Sequence, residues 1–167
     1  MRRLNLSLVA MLVSACGPSD SNSVKRAGEP DMISVAAVDA AMNTAIAKAR
    51  ATLPAFKAAL ASPPPGSSGF AVKVAFAYGK NGSQEHIWLT EPQFTGESIS
   101  GTVNNEPVDA THLTLGQRVA APVADISDWM YAANGVLKGG ETVRALLSRM
   151  PPEERAETLA SMGFRLE

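Results

Sequence analysis

The chain has 167 residues, a formal charge of −1 and one cysteine. Its length suits a single folded domain of ordinary size. The charge leaves no basic surplus to neutralise phosphates, which argues against nucleic-acid binding. One cysteine also excludes an internal disulfide and a zinc–thiolate site.

The first 15 residues have the pattern of a targeting signal. Arg2 and Arg3 precede an apolar run, 4–15, that would span only about 18 Å as a helix, at ~1.5 Å per residue. Because a bilayer core needs about 30 Å, this run is not predicted to cross a membrane. Residues 13–16 look like the bacterial lipoprotein cleavage box, in which cleavage before the cysteine is followed by acylation. The alternative is an ordinary secretory signal that is cut at the same bond.

We therefore predict a signal peptide over 1–15 and lipid attachment at Cys16, which would anchor the mature chain to a bacterial membrane, facing the periplasm. Gly17 follows the cysteine where an aspartate would favour inner-membrane retention, so the outer membrane is favoured. Loss of the two signal arginines leaves a formal charge of −3. Residues 16–31 are rich in serine and contain two prolines, and they are predicted to form a flexible tether. A single domain is predicted over 32–167.

The first element of this domain is predicted to be helical, with Asp31 as its N-cap. The apolar residues that recur at helical spacing are Val35, Val38, Met42, Ile46, Ala49, Leu53, Phe56 and Leu60. Pro54 interrupts this stripe and costs about 3 kcal/mol in a helix interior. We therefore expect a break or kink near Thr52 and Leu53, with Pro54 opening a second short helix.

The apolar period then changes to two, which predicts strands. The clearest is Phe70 to Tyr78, followed by a tight turn at Asn81-Gly82 and a returning strand from Gln84 to Thr90. The later strand predictions are Phe94 to Val103 with bulges at Gly96 and Gly101, an uncertain one at Thr111 to Leu115, Gln117 to Val123 with Pro122 at an edge or end, and a hairpin of 126–132 with 136–138.

Two short helices are predicted at the carboxyl end, one over Glu141 to Met150 and one beginning at Pro152, with Gly163 as a C-terminal cap. The predicted fold is α+β: an N-terminal kinked helix, an antiparallel meander of about five strands and two C-terminal helices.

Five short stretches of this chain together resemble a known family. They are Glu85-His86-Ile87-Trp88, Asn105-Glu106-Pro107, Leu115-Gly116, Ile126-Ser127-Asp128-Trp129-Met130-Tyr131 and Thr142-Val143-Arg144-Ala145-Leu146-Leu147. In this order they look like the bacterial YegJ-like family, a domain of unknown function, and the resemblance covers about 42–154. The resemblance implies a bacterial origin, and it implies no reaction and no catalytic residues.

The residues that could carry chemistry have competing structural interpretations. Glu85 and His86 are adjacent, so on a strand they point to opposite faces and cannot share a pocket without a bulge. Asp125 and Asp128 could pair as acid and base or bind a hard cation, but aspartates at strand boundaries usually satisfy backbone N–H groups. Trp129 usually anchors a core. Two isolated histidines and no free thiol predict neither a metal site nor a cofactor.

Two functions from different classes remain open. The favoured one is a non-enzymatic, membrane-tethered binding module for another envelope protein, a cell-wall component or a lipid. The candidate binding surface is His86, Trp88, Asp128, Trp129, Tyr131 and Arg144. The alternative is a small envelope hydrolase that uses Asp125, Asp128 or His86 with Arg144, and convergence of these residues in one pocket would favour it.

Overall fold

A computed structural model of the chain describes residues 35–80 and 82–166, with side chains from residue 40 onward. The helices are α1 (Val35–Ala61), α2 (Glu141–Leu147) and α3 (Pro152–Met162), and a 3₁₀ turn spans Val123–Asp125. The strands are β1 (Ser67–Tyr78), β2 (Ser83–Thr95), β3 (Ser98–Val103), β4 (Arg118–Pro122), β5 (Ile126–Ala133) and β6 (Val136–Gly139). The α+β prediction is confirmed, with six strands where about five were expected.

Helix α1 runs unbroken through Pro54, so the predicted break near Thr52 is wrong. Leu53 is 9% exposed and Phe56 is 0% exposed, and both belong to the core that the helix shares with the sheet. Burial of such side chains contributes about 1.5–3 kcal/mol each, which offsets the roughly 3 kcal/mol cost of an interior proline. The predicted cap Asp31 lies outside the described residues.

All strand pairs are antiparallel, in the order β4-β3-β2-β1-β5-β6. The first four strands form the predicted meander. The chain then crosses to the other side of β1, where β5 pairs with it, so β1 and β5 become interior strands. This crossing brings residues of β5 next to residues of β1 and β2 that are far away in sequence.

Both faces of the sheet carry a buried core. The first face packs against α1 through the side chains of Val72, Val74, Ile87, Leu89 and Trp129, among others. The second face has its own cluster, formed by Ala71, Trp88, Met130, Ala132, Leu137, Val143, Leu147, Met162 and Phe164. Alanines of β1 that a one-sided sheet would expose, such as Ala71 and Ala75, are therefore buried.

The middle of the sheet departs from the prediction in two places. The strand expected over Phe94 to Val103 begins at Ser98, because Gly96, with φ +59°, lies in the turn after β2 rather than in a bulge. Gly101 does lie at a bulge, as predicted, because the pairing of β2 with β3 shifts between Thr90–Thr102 and Gln93–Ser100. It is also close-packed, since a Cβ there would lie 2.8 Å from Leu89 Cβ. The uncertain strand at Thr111 to Leu115 forms turns.

The two edges of the sheet differ. At β6 the carboxyl-terminal segment adds a parallel bridge, with the Leu137 amide donating to the Arg165 carbonyl at 2.9 Å. Strand β4 is the other edge and ends at Pro122, as the sequence predicted.

The predicted C-terminal cap of α3 is confirmed, since Gly163 ends this helix with φ +71°. None of the helices in the described part of the chain has the length and apolarity that a bilayer crossing requires.

Candidate functional site

A β-bulge on β5 builds the most polar part of the sheet. Lys73 of β1 pairs with Asp128, whereas Val74 pairs with Ile126, so Ser127 is the extra residue. Ile126 and Trp129 both join the core of the first face although they are three positions apart, an odd offset that places side chains of a regular strand on opposite faces. Only the bulge allows this, because side chains in a regular strand alternate. The bulge therefore turns both Ser127 and Asp128 toward the second face.

Asp128 is fully buried and uses its carboxylate to hold the start of α2. Its Oδ1 accepts from the amides of Trp129 (2.8 Å) and Glu141 (3.1 Å). Its Oδ2 accepts from the amide of Thr142 (2.8 Å) and from the Thr142 hydroxyl (2.6 Å). A carboxylate has about four lone-pair sites, so these four bonds occupy the group completely. Asp128 thus satisfies backbone donors that the helix leaves unpaired at its first turn.

The ionisation of Asp128 reflects two opposing influences. Burial raises the pKa of Asp128, and the bonds from Thr142 and Trp129 together with the charge of Lys73 oppose that rise. Gly140, the residue before α2, has no side chain with which to cap the helix. Asp128 therefore supplies from the neighbouring strand the cap that α2 lacks locally.

Lys73 lies between Trp88 and Asp128 in one row across three strands. Its Nζ donates to Thr142 Oγ1 at 3.3 Å and lies 5.4 Å from the centroid of the Trp88 ring. Burial lowers the pKa of Lys73, and the charge of Asp128 acts against that shift. No Lys73–Asp128 ion pair within 4.0 Å occurs in the described structure, and the Asp128 oxygens accept instead from Trp129 and from the first turn of α2.

His86 and Ser127 meet across β1. The His86 Nδ1 lies 2.8 Å from Ser127 Oγ, and that hydroxyl also lies 3.3 Å from the Lys73 carbonyl. Ala75 pairs with His86 and carries only a methyl group, so it leaves room for this contact. Ser127 is 0% exposed, whereas His86 is exposed and forms the outer rim of the cluster.

The cations around His86 favour its neutral form. Desolvation lowers the pKa of His86 to about 4, and the charges of Lys73 and Arg50 lower it in the same direction. Arg50 is fixed nearby, because its Nε donates to the Ile126 carbonyl at 2.8 Å. At neutral pH the imidazole is therefore an uncharged donor and acceptor at the mouth of the cluster. We call Lys73, His86, Ser127, Asp128 and Thr142 the polar cluster.

The six predicted surface residues do not form one exposed surface. Trp88 is 1% exposed, and Trp129 is 7% exposed on the opposite face. Tyr131 stacks on Phe70 with ring centroids 4.7 Å apart, also on the first face. The burial of both tryptophans corrects the expectation that they line a free binding face, because each completes a core.

Arg144 is also committed to the fold. Its Nε donates to the Gly139 carbonyl (2.9 Å) and its Nη2 donates to the Leu137 carbonyl (2.7 Å). Asp125 lies in the 3₁₀ turn. Of the residues suggested for a hydrolase, only His86 is left with a side chain that solvent can reach in the polar cluster.

Glu85 faces away from His86, as the alternation of a strand predicted. Its carboxylate accepts from three backbone amides, those of Val108 (2.9 Å), Asp109 (2.9 Å) and Ala110 (2.7 Å). It thereby anchors the long loop between β3 and β4. Within the residues that the structure covers, no three histidine or acidic side chains come together as a metal site would require.

The sequence did not identify Lys73, Ser127 or Thr142 as members of a site. The sequence did offer one signal. Lys73 stands in the middle of β1, a strand that is covered on both faces, and a charge at such a position is rarely buried without a partner. The pairing of β1 with β5 was needed to connect it with Asp128.

Comparison with known proteins agrees with the resemblance noted in the sequence. Residues 39–166 match the family model described as an uncharacterized protein conserved in bacteria, DUF2314. The uncharacterized protein YegJ of Escherichia coli K12 is 36% identical over 93 residues, which are 56% of this chain and 60% of that protein.

A Neisseria meningitidis serogroup B protein that carries the name of an ankyrin repeat protein is 44% identical over 80 residues. Those residues are 48% of this chain and 32% of that protein, so the chain spans about a third of one relative and three fifths of the other. No solved structure matches the chain. The family match covers most of the chain, and the chain therefore belongs to the bacterial DUF2314 family of uncharacterized conserved proteins.

Proposed function

We propose that this protein is a lipid-anchored binding module of the bacterial envelope rather than an enzyme. The support for the anchor is the sequence alone: a short apolar run after two arginines and one cysteine at the end of a lipoprotein-type box. Residues 16–31 would then tether the domain to the outer membrane, facing the periplasm. Tethering raises the effective concentration of a module near an envelope partner, so modest affinity suffices.

The single observation that carries the binding role is the complete occupation of the Asp128 carboxylate. A general acid or base needs a free position within hydrogen-bond reach of the substrate. All four acceptor sites of Asp128 are used inside the fold, and Arg144 is used by two carbonyls. The hydrolase set of Asp125, Asp128, His86 and Arg144 thus loses Asp128 and Arg144.

The partner surface that fits this role is the rim of the second face around His86. His86 and Gln84 are exposed on β2, and Lys73 is half-buried beside them. The exposed rim is polar, with charged groups behind it, which is typical of an interface that binds reversibly. The partner is proposed to be another envelope protein or a cell-wall component.

The proposal can be tested by site-specific photocrosslinking in intact cells. A photoreactive residue at Gln84 should crosslink one discrete partner, and Cys16→Ser should weaken that capture because the tether is lost. The same residue at exposed Glu157 of α3 is the matched control and should not capture it. Equal crosslinking from both positions, or none from Gln84 in anchored protein, would contradict the proposal.

A different hydrolase deserves one test because of a specific contact. The 2.8 Å His86–Ser127 pair has the nucleophile–base geometry of an activated serine. Ser127 is fully enclosed, however, so a substrate could not reach it without local opening. A panel of chromogenic esters tests this activity. Hydrolysis that is lost in Ser127→Ala but kept in Ser100→Ala would support a serine hydrolase and would contradict the binding role.

A further inference from the structure

Only one of the two sheet edges is paired within the described part of the chain. At β6 the segment after α3 supplies a partner, since the Leu137 amide donates to the Arg165 carbonyl and the Arg165 amide donates to the Gly135 carbonyl, each at 2.9 Å. No described segment pairs with the outer side of β4. An open edge presents unpaired N–H and C=O groups, which are a template for pairing with another strand.

The register of β3 and β4 identifies the backbone groups that point outward. Just beyond the end of β4, the Val123 amide donates to the Glu97 carbonyl at 2.9 Å. Opposed residues of an antiparallel pair alternate between hydrogen-bonded and non-bonded positions, and the register of β4 with β3 is regular. Arg118, Ala120 and Pro122 therefore occupy the non-bonded positions, so their backbone groups point away from β3. All three residues are exposed.

This outward set of backbone groups is complementary to itself. It consists of the N–H groups of Arg118 and Ala120 and of three carbonyls, because Pro122 has no N–H. When two β4 strands run antiparallel about a two-fold axis at Ala120, the two Ala120 residues exchange both of their hydrogen bonds. Each Arg118 amide then meets the Pro122 carbonyl of the other copy. Both outward amides of each copy are satisfied, and the missing proline N–H affects only the last pair at each end.

The charges at the two ends of β4 favour the same arrangement. The contacts of Arg118 within its own chain are long, at 4.0 Å to Glu91 Oε2 and 3.4 Å to Ser100 Oγ. Glu97 is exposed and has no ion pair among the described residues. It lines a shallow recess together with Thr95, Ser98, Ala120, Ala121 and Pro122.

The two-fold axis brings these opposite charges together. It places Arg118 of the second copy opposite Pro122, at the edge of the recess that Glu97 lines. The long arginine side chain can then reach the Glu97 carboxylate. Because the axis repeats every contact, the dimer gains this pair twice.

We propose that the outer edge of β4 pairs with the β4 edge of a second copy of this chain and joins two six-stranded sheets into one. This inference goes beyond the proposed binding role and uses none of the polar cluster. Each strand contributes only five residues, so the dimer is a weak, transient one in dilute solution. Copies that share a membrane surface would meet at a high effective concentration, for which a weak contact suffices.

The edge can be blocked without breaking a bond inside the sheet. Sedimentation equilibrium of the isolated full chain, in a density-matched detergent, measures the dissociation constant of the dimer. Ala120→Pro should raise this constant about tenfold or more, because both copies lose an outward N–H. The substitution removes no bond to β3, so far-UV circular dichroism should show a folded monomer. Ala120→Ser keeps the N–H and is the matched control, which should dimerise as the wild type does.

Charge reversal tests the geometry by a route that does not depend on a proline. Arg118→Glu alone and Glu97→Arg alone should each weaken the dimer roughly fivefold or more, since each places like charges together twice. An equimolar mixture of the two variants should recover wild-type affinity as a heterodimer, because both contacts then join opposite charges. Glu157→Arg, at an exposed position of α3, is the control for net charge and should dimerise as the wild type does.

Several results would overturn the pairing of β4 with its copy. They are a chain that stays monomeric at every concentration, equal dimerisation of wild type and Ala120→Pro, and a mixture of the charge variants no tighter than its components. Protection of the Ala120 amide from deuterium exchange only when an unrelated extended peptide is added would also overturn it, and would assign the edge to a different protein. Partner capture at Gln84 should be unchanged in Ala120→Pro, so failure of this pairing is distinguishable from failure of the binding role.

Discussion

Thr142 donates twice to Asp128, from its amide at 2.8 Å and from its hydroxyl at 2.6 Å. These two residues join the bulged strand β5 to the first turn of α2 across 14 positions of sequence. The bond pair fixes the helix that covers the second face, and it leaves Lys73 beside an aspartate that has no free oxygen. The polar cluster and the first turn of α2 are therefore joined through this pair of residues.

Replacing Asp128 by asparagine should destabilise the protein by about 2–4 kcal/mol. An asparagine side chain has one acceptor oxygen and one NH₂ group. Some backbone N–H groups at the start of α2 would therefore face that NH₂ group, which is itself a donor, and would be buried without an acceptor. Urea unfolding measures the change. Asp125→Asn is the matched control, because this nearby aspartate lies outside the contacts that hold α2, and it should change stability by less than about 0.5 kcal/mol. Equal effects would show that Asp128 is not the cap of α2.

His86 should make stability depend on pH in a defined window. The pKa of His86 is lowered in the folded state to about 4 from 6.5. Between these values the unfolded chain binds a proton that the folded chain does not bind, so stability should fall as pH is lowered from about 6.5 to 4. Unfolding in urea at pH 7, 6 and 5 should give a smaller fall for His86→Gln than for wild type. Gln84→Asn, on the same strand, should keep the wild-type fall, and identical profiles for all three proteins would refute the shift.

Gly139 should tolerate no side chain. It has φ +69°, and a Cβ would lie 2.3 Å from the Trp129 carbonyl oxygen and 2.5 Å from two atoms of the Trp129 ring. Gly135→Ala is the matched control, because Gly135 has φ +77° and open space around it. The control should cost about 1–2 kcal/mol for its left-handed backbone. Gly139→Ala should cost a further 1–3 kcal/mol or so for the clash, measured by thermal or urea unfolding. A difference near zero would contradict this packing.

Glu85 should hold the loop between β3 and β4 in place. Glu85→Gln removes the charge that three amides share, so the amides of Val108, Asp109 and Ala110 should exchange with deuterium faster. Glu106→Gln, at an exposed position of the same loop, should leave the exchange of these amides unchanged. Unchanged exchange in Glu85→Gln would mean that the loop is held by other contacts.

The local features of the fold could be read from the sequence. The period of two in β1 and the predicted pairing of 126–132 with 136–138 agree with the observed hairpins, because side-chain alternation and short connections determine them. Asn81 of the predicted first turn lies outside the described residues. The sequence predicted that Asp128 accepts hydrogen bonds from backbone amides and that Trp129 is a core residue. Both predictions are confirmed. The predicted break at Pro54 is wrong, because the burial of Leu53 and Phe56 on either side of it offsets the free-energy cost of a proline inside a helix.

The candidate site could not be predicted because it depends on strand order. Lys73 meets Asp128 only when β5 crosses the sheet to pair with β1, and Ser127 meets His86 only through a bulge. Neither event has a local signature in the sequence. The expected binding surface failed for the same reason, since a sheet covered on both faces buries Trp88 and Trp129.

The proposed role depends most directly on the state of the amino terminus. Mass spectrometry of the protein recovered from bacterial membranes should find a mature chain that begins at Cys16 and carries acyl groups, and Cys16→Ser should abolish the modification. Recovery of the unacylated chain from the cytosol, with Met1 still in place, would contradict the account.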